Sequence, residues 1–142
     1  MNLSTAFTFD AAHRILGHAG KCAYLHGHTY RLEVTVSAEK LDRLGMVIDF
    51  DDLKALVGKA VLDRWDHATL LSADDPLAEA IERVENHAPE KVVRLGENPT
   101  AEVLTREAWQ AISQSLPPGI SLERIVIRES PDCSCELTRD RM

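Results

Sequence analysis

The most constraining feature of the sequence is a strand pattern with two histidines at its start. Residues 29–37 alternate between apolar and polar side chains, which predicts a half-buried β-strand. His26 and His28 precede this segment and continue the same alternate positions as its apolar residues. Only Gly27 separates the two histidines. Because residues two apart on a strand point the same way, both imidazoles are predicted to face one point on the covered side of a sheet. The apolar positions of the segment are Tyr30, Leu32, Val34 and Val36.

A third histidine is placed to join this pair. Residues 3–9 also alternate, and the inward parity of this first predicted strand continues to His13. If the two strands pair as a hairpin, His13 falls beside His26 and His28. Three neutral imidazoles suit Zn²⁺ and leave one coordination position open, as in catalytic zinc sites. The sequence therefore predicts a zinc site made by these three histidines, whereas His18 and His87 are predicted to face solvent.

The rest of the chain predicts helices between two pairs of strands. Asp49 is predicted to cap an amphipathic helix that reaches about Leu62, and Asp75 to cap a helix that begins at Pro76. Asn98 is predicted to cap the clearest helix, which "PPG" ends. This order favours an α+β fold, with helices on one face of an antiparallel sheet. The later extended segments are predicted at residues 90–95, 120–130 and 133–139.

Composition narrows the class of protein. The 142 residues suggest a single domain spanning 1–142. A formal net charge of −7 argues against nucleic-acid partners, which usually require a basic stripe, and against an anionic membrane surface. We find neither a secretory signal nor a run of about 20 apolar residues. Three cysteines are an odd number, and Cys133 and Cys135 are too close for an unstrained bridge, so a reducing, cytoplasmic compartment is predicted.

Cys22 lies four residues before His26, in a polar loop. A free cysteine is commonly a small buried hydrophobe, which is the alternative explanation. Beside Lys21 and a zinc ion, however, positive charge favours the thiolate form. Cys22 is therefore a candidate general base or nucleophile.

Two carboxylates attract attention for different reasons. Glu129 continues the inward parity of Ile125 and Ile127, and a carboxylate at the end of an apolar row needs a partner. A ligand with two adjacent N–H groups would satisfy it in bidentate fashion. Asp66 precedes His67 and can orient its ring, although polar residues at a helix end are equally explained by solvation.

Six motifs stand in the order found in a known family. They are "FDAAHR", "CAYLHGH", "IDFDDLK", "WDHATL", "NPTAE" and "IRES". Together, from about Thr5 to Glu129, they resemble the 6-pyruvoyl-tetrahydropterin synthase family. The spacing Cys-x₃-His-Gly-His resembles its bacterial queuosine-pathway branch, because the 6-pyruvoyl enzymes typically have a longer gap.

The resemblance implies a role for each matched residue. It implies a cysteine that acts as the base in proton abstraction, with an Asp-His pair as its partner. It also implies a carboxylate that anchors the pterin ring and a threonine that contacts it. The implied residues are His13, His26 and His28 as zinc ligands, Cys22, Asp66 and His67 as catalytic residues, and Glu129 and Thr100 as substrate contacts.

The fold and activity implied by the resemblance are equally specific. The implied fold is the tunnelling fold, a four-stranded antiparallel sheet with helices on one face. Trimers close these sheets into a barrel, two trimers stack as a homo-hexamer, and active sites lie between subunits. The implied reaction is a carbon–carbon lyase reaction, which converts 7,8-dihydroneopterin triphosphate into 6-carboxy-5,6,7,8-tetrahydropterin, acetaldehyde and triphosphate.

Three alternatives stay open at this point. A 6-pyruvoyl-type enzyme would eliminate triphosphate and keep the carbon skeleton. A zinc-binding module without catalysis would not need Cys22, and an assembly protein would bind neither zinc nor pterin. The segment 72–97 is longer than in the shortest members of the family, the tail 131–142 matches no motif, and Trp65 stands where the family often has Leu. Arg14 and Lys21 are candidate triphosphate ligands.

Overall fold

The chain folds around a six-stranded mixed β-sheet. The computed structural model describes residues 1–86 and 88–141. The strands are β1 (Asn2–His13), β2 (His26–Ala38), β3 (Ala68–Ser72), β4 (Val92–Leu95), β5 (Ile120–Ser130) and β6 (Cys133–Thr138). Their order across the sheet is β4-β3-β1-β2-β5-β6. The assignment of residues 1–142 to a single domain stays a prediction.

The two longest strands form the hairpin that their alternation predicted. β1 and β2 pair antiparallel from Asn2 opposite Ser37 to His13 opposite His26. Full burial of a large apolar side chain is worth about 1.5–3 kcal/mol, and a one-residue slip would turn the whole apolar row to solvent. The buried row therefore fixes the register that brings His13 to His26. Its members are Phe9, Tyr30, Leu32, Val34 and Val36.

The helices are α1 (Phe50–Val57), α2 (Asp63–Trp65), α3 (Pro76–Val84) and α4 (Ala101–Ser115). α1 begins at its predicted cap, where the Asp49 carboxylate accepts the N–H of Asp51 at 2.7 Å. The π-helical turn Gly58–Leu62 joins α1 to α2, so the helical segment ends at Trp65 rather than near Leu62. Among the helices in the described ranges, none is long and apolar enough to cross a membrane.

The predicted start of α4 was wrong by two residues. Thr100, not Asn98, caps this helix, and its hydroxyl accepts the N–H of Val103 at 3.3 Å. The Asn98 side chain instead bonds both backbone groups of Leu16, at 2.8 and 3.0 Å. The Asn98 amide thus holds the loop after β1 and does not cap α4. Because Thr100 is the cap, Pro99 lies outside the helix.

The predicted four-stranded antiparallel sheet was also wrong. β3 was not predicted, and it pairs in parallel with both β1 and β4. Parallel neighbours need a crossover connection, and α3 supplies it between β3 and β4. Five residues are too short to show a clear alternation, so β3 has no distinguishable strand pattern in the sequence. The other part of the sheet, with β1, β2, β5 and β6, is antiparallel as predicted.

Helices cover both faces of the sheet, contrary to the prediction. α1 and α4 pack with Leu70 in the main core, whereas α3 packs against Leu71 and Val92 in a second cluster. Leu70 and Leu71 are adjacent on β3 and therefore point to opposite faces. Both are fully buried, as is typical of parallel strands, so a helix is required on each side.

A buried ion pair ties α3 to the end of β1. The Asp75 carboxylate caps α3 by accepting the N–H of Leu77 at 2.8 Å, and it also accepts the Arg14 guanidinium at two oxygens. The Asp75 side chain is 0% exposed and that of Arg14 is 23% exposed. The hydrogen bond from Arg14 lowers the pKa of Asp75. A carboxylate with a lowered pKa stabilises the fold above its unfolded pKa, and this stability is lost as pH falls through the folded value.

Arg14→Met is therefore expected to lower the free energy of unfolding by about 2–3 kcal/mol at neutral pH, because it leaves a buried carboxylate without its partner. The difference from wild type should shrink below about pH 3.9, where the unfolded carboxyl protonates. Urea denaturation across pH measures both effects. Arg83→Met is the control, since its pair with Glu79 is exposed and worth at most about 1 kcal/mol. Equal losses in the two variants would contradict the prediction.

Candidate active site

The three histidines singled out by the sequence meet at one end of the β1–β2 hairpin. His13 lies opposite His26, and His28 follows on the same face of β2. Gly27 pairs with Ala12 in an unbroken ladder, so no bulge disturbs the parity. The ring centroids lie 4.6, 4.9 and 5.1 Å apart. One nitrogen from each ring lies within 4.8 Å of the others, so the structure groups these residues, and their role as metal ligands stays a prediction.

Backbone carbonyls orient two of the rings. The Nδ1 of His13 donates to the carbonyl oxygen of Pro99 at 2.8 Å, and the Nδ1 of His26 donates to that of Tyr24 at 2.7 Å. Metal-binding histidines typically donate their second N–H in this way, which fixes the tautomer and the ring plane. The Nε2 atoms of both rings are therefore the ones that face the cluster.

The two Nε2 atoms lie 3.1 Å apart. When both rings are neutral, each carries its hydrogen on Nδ1, so neither Nε2 can donate to the other. Two lone pairs at this distance repel unless a cation lies between them. Two nitrogens bound tetrahedrally to zinc at about 2.0–2.1 Å would be about 3.3 Å apart, so the donor set fits a metal ion.

Electrostatics favours the metal-binding form of the cluster. Burial lowers the pKa of His13, and the same cause lowers the pKa of His28. Glu129 opposes both shifts, whereas the neighbouring His26 adds to them. Both rings are thereby kept neutral near pH 7, and only a neutral imidazole can bind a metal ion.

Glu129 lies next to the cluster at the end of β5. Its carboxylate oxygens are 3.5 Å from the Nε2 of His28 and 3.9 Å from that of His13. The pairing of β5 with β6 shifts between Arg128 and Ser130, and such irregularities commonly re-aim a side chain. The Nε2 of His28 is buried and makes no hydrogen bond to the described residues, so it is available to a ligand.

One cavity of about 330 Å³ is lined by four of the eight predicted site residues. Cys22 lies in a 3₁₀ turn, Lys21–Ala23, and is partly exposed to this cavity. Thr100 reaches it from the N-cap position of α4. The tail cysteines, Cys133 and Cys135, also line it, and neither they nor Cys22 form a disulfide. The predicted residues along its wall are His13, Cys22, Thr100 and Glu129.

Asp66 and His67 lie elsewhere. Their side chains form an ion pair, with the Nδ1 of His67 3.0 Å from an Asp66 oxygen. His67 lines a second cavity, of about 480 Å³, together with His28. Both cavities border the histidine cluster, but within one chain they are separate. The structure thus does not place the Asp66–His67 pair in the cavity that holds Cys22.

The remaining sequence candidates are less directly involved. Arg14 is committed to Asp75, so it does not offer a free cation to a triphosphate. Lys21 lies in the turn that carries Cys22 and acts on His28 through its charge. His18 is exposed as predicted, and His87 lies outside the described residues.

Sequence reasoning missed the groups that orient the site. The carbonyls of Pro99 and Tyr24 carry no side-chain signal, so no pattern could reveal them. Asp10 bonds to both Asp66 and His67, and Lys91 bonds to the Asp66 carbonyl. "FDAAHR" contains Asp10, but only the tertiary pairing of β1 with β3 shows what this residue contacts.

Comparison with known proteins gives one family, which matches almost the whole chain. The family model for 6-pyruvoyl tetrahydropterin synthase matches residues 2–140. A 6-carboxy-5,6,7,8-tetrahydropterin synthase of Rickettsia bellii is 40% identical over 131 residues, which cover 91% of this chain and 94% of the relative. A protein of the same name from Haemophilus influenzae is 34% identical over 137 residues, covering 94% and 96% of the two chains.

Solved structures share the fold. A 6-pyruvoyl tetrahydropterin synthase of Caenorhabditis elegans has a TM-score of 0.69 at 22% identity, covering 97% of this chain and 94% of the other. A 6-pyruvoyltetrahydropterin synthase of Plasmodium vivax has a TM-score of 0.74 at 19% identity, covering 98% and 97%. Such low identity supports the architecture and not the substrate.

Proposed function

The chain belongs to the 6-pyruvoyl tetrahydropterin synthase family, and we propose that it is a 6-carboxy-5,6,7,8-tetrahydropterin synthase. The proposed reaction consumes 7,8-dihydroneopterin triphosphate and one water, and yields 6-carboxy-5,6,7,8-tetrahydropterin, acetaldehyde and triphosphate. The observation that carries the proposal is the convergence of three histidine nitrogens beside a cavity lined by Cys22 and Glu129. The names of relatives at 34–40% identity support the choice of product.

Zinc is the metal that we propose for the histidine cluster. Its support is the set of three nitrogen donors, two of them oriented by backbone carbonyls, with no cysteine among them. A bound zinc ion supplies Lewis-acid polarisation of the substrate's side-chain hydroxyls. Glu129 adds a negative charge at the edge of the same cluster.

The protein residues then bind the substrate and transfer protons. Glu129 accepts two N–H groups of the pterin ring and so holds the ring in one geometry, with Thr100 as a neighbouring contact. Cys22, as thiolate, accepts a proton from the side chain of the substrate. Asp66 accepts the Nδ1–H of His67, which leaves Nε2 to move a second proton. The substrate side chain is oxidised while the ring is reduced by the same electron pair.

Asp66 is suited to orient His67. A hydrogen bond from the backbone N–H of Asp10 lowers the pKa of Asp66, and the bond to His67 lowers it further. The carboxylate therefore stays ionised and remains an acceptor near pH 7. This fixes the His67 tautomer, which determines the atom available for proton transfer.

The proposal includes an oligomer with active sites between subunits. His67 and Cys22 line separate cavities of one chain, so a single chain does not complete the proposed catalytic set. The loop beside the site also exposes three large apolar side chains, with Leu16 38%, Leu25 45% and Tyr24 76% exposed. Burial of such side chains against another subunit would be favourable. A hexamer with barrel-closing trimers is the form that we propose.

Product analysis tests the function. The purified protein, loaded with zinc, is incubated with 7,8-dihydroneopterin triphosphate, and every product is identified by mass spectrometry. We expect equal amounts of acetaldehyde, 6-carboxytetrahydropterin and triphosphate. Triphosphate release without acetaldehyde would identify a 6-pyruvoyl-type enzyme, and no turnover would favour a zinc-binding or assembly module.

Glu129→Gln is expected to weaken pterin binding by about 10- to 100-fold while changing zinc content little. The substitution keeps the shape of the side chain but removes the charge that two N–H groups would bond, an interaction worth roughly 1.5–3 kcal/mol. Isothermal titration with a pterin and metal analysis measure the two effects. Glu123→Gln on the same strand is the control, because Glu123 bonds Ser37 and Arg139 away from the site. Unchanged pterin affinity in Glu129→Gln would refute the anchor role.

A further inference from the structure

His67 has an unusual backbone conformation that packing does not enforce. Its φ angle is +58°, and the described residues include no other non-glycine residue with positive φ. This left-handed conformation costs a non-glycine residue roughly 1–2 kcal/mol. The side chain of His67 is 76% exposed, so burial of the ring does not offset this cost. Hydrogen bonds to the surrounding backbone must therefore hold the residue in place.

Asp10 supplies two of these bonds from β1. Its carbonyl oxygen accepts the N–H of His67 at 2.7 Å, and its own N–H donates to the Asp66 carboxylate at 2.9 Å. The Thr29 hydroxyl in turn bonds the Asp10 carboxylate at 2.5 Å. These contacts fix the amide side of His67 and the Asp66 side chain. The first bond holds the N–H side of the peptide group that joins Asp66 and His67, and the carbonyl oxygen on its other side needs a partner of its own.

Lys91 holds the carbonyl side of that peptide group. Its Nζ donates to the carbonyl oxygen of Asp66 at 2.8 Å and to that of Asp63 at 3.0 Å. Both carbonyls lie in the last turn of the helical segment that ends with α2, where backbone oxygens lack partners within the helix and attract a cation. The Asp66 carbonyl belongs to the peptide bond that enters His67. An ammonium group bound to this carbonyl oxygen therefore restricts rotation of the peptide plane that precedes the Cα atom of His67.

The 72–97 segment explains how Lys91 reaches this position. The β3–α3–β4 crossover returns the chain to the sheet next to β3, and the turn Pro89–Lys91 immediately precedes β4. β3 begins one residue after His67. The start of β4 is thereby brought beside the end of α2, although the two are more than 20 residues apart in sequence.

We propose that Lys91 is a positioning residue for the Asp66–His67 pair, which fixes the peptide between them and thereby the direction of the His67 imidazole. The proposal rests on the proposed function in taking His67 as a proton-transfer group. The alternative role for Lys91 is purely structural, as a cap on α2. The two roles predict different effects when Lys91 is replaced. Loss of a helix cap would lower the stability of the fold, whereas loss of a positioning residue would lower the rate of the chemical step.

Lys91→Met tests the proposal, because methionine keeps the apolar stem and removes the donors. We expect kcat to fall roughly 10- to 100-fold, since misplacement of a reacting group by about 1 Å has effects of this size, with KM changed less than about twofold. Zinc content should stay at the wild-type value. Amide hydrogen exchange at His67 should become at least about tenfold faster. Lys91→Arg should restore most of both properties, because a guanidinium can also donate to two carbonyls.

Arg94→Met is the matched control. Arg94 lies on β4, three residues after Lys91, and its guanidinium bonds Glu82 and the carbonyl oxygen of Ala73 rather than the Asp66–His67 peptide. It should leave kcat and the exchange of the His67 amide unchanged. The proposal is overturned if Lys91→Met keeps the wild-type kcat, if Arg94→Met loses as much, or if exchange at His67 does not respond.

The outcomes separate this inference from the proposed function. If the wild-type protein does not turn over dihydroneopterin triphosphate, the proposed function fails. Exchange at the His67 amide then decides alone whether Lys91 holds the peptide, because this measurement needs no substrate. If turnover is present and Lys91→Met alters neither kcat nor exchange, only the positioning role fails.

Discussion

His28→Ala is expected to abolish stoichiometric zinc binding and to reduce turnover by at least about a thousandfold, while the chain stays folded. The substitution removes one of three converging nitrogens, and the Lewis-acid contribution of the metal is worth several kcal/mol. His28 Nε2 has no hydrogen-bond partner among the described residues, so its loss breaks no hydrogen bond of the metal-free fold. Metal analysis of the purified variant and a turnover assay measure both effects.

Thermal unfolding with and without zinc provides a second test of His28 as a zinc ligand. Zinc should raise the unfolding temperature of the wild-type protein, because a ligand that binds only the folded state stabilises it. It should not raise that of His28→Ala, and the two metal-free proteins should unfold at similar temperatures. His18→Ala is the control, since this exposed ring bonds only the nearby N–H of Gly20 among the described residues. A full zinc content in His28→Ala would contradict the ligand assignment.

The geometry of the histidine cluster could be predicted because it depends on parity alone. His26 and His28 share a face with Tyr30, and His13 shares one with Phe9, so the pairing of two alternating strands suffices to bring the rings together. The apolar rows determine that pairing, since any other register would expose them. The alternation in the two strands thus predicts both the candidate ligands and their proximity.

The orientation of the rings could not be predicted, because it depends on backbone atoms that tertiary structure brings together. Pro99 lies outside α4 only because Thr100 takes the cap that Asn98 was predicted to take. Its carbonyl is therefore free to accept the N–H of His13. A two-residue error in a helix start is unimportant for the fold, but it changes which atom orients a metal ligand.

The parallel edge of the sheet was predicted only in part. The extended segment predicted at residues 90–95 contains β4, but neither β3 nor the parallel pairing was predicted, because an apolar run of five residues has no distinguishable period. Leu70 and Leu71 are adjacent on β3 and both buried, so this strand is covered on two faces and lacks the alternation of a half-buried strand. This edge carries the contacts of Asp66 and His67, so their environment was not predictable from the motif "WDHATL".

Cys22→Ala is expected to reduce turnover by roughly 10²- to 10⁴-fold, the range that a positioned general base contributes. Cys22 lines the cavity that also contains His13 and Glu129, but it lies outside the three-histidine cluster. Zinc content and pterin affinity should therefore stay close to wild type, and the loss should fall on kcat. Steady-state kinetics, metal analysis and pterin titration on one preparation separate these properties.

Cys133→Ala and Cys135→Ala are matched controls, because both thiols line the same cavity and neither is assigned a proton-transfer role. If any thiol in the cavity sufficed, or if the loss came from altered packing, these variants would lose as much turnover as Cys22→Ala. Cys22→Ser adds a chemical test, since a hydroxyl is far harder to deprotonate than a thiol and should not restore the rate. Wild-type kcat in Cys22→Ala would remove the base from the proposed mechanism and would favour a zinc-binding module without catalysis.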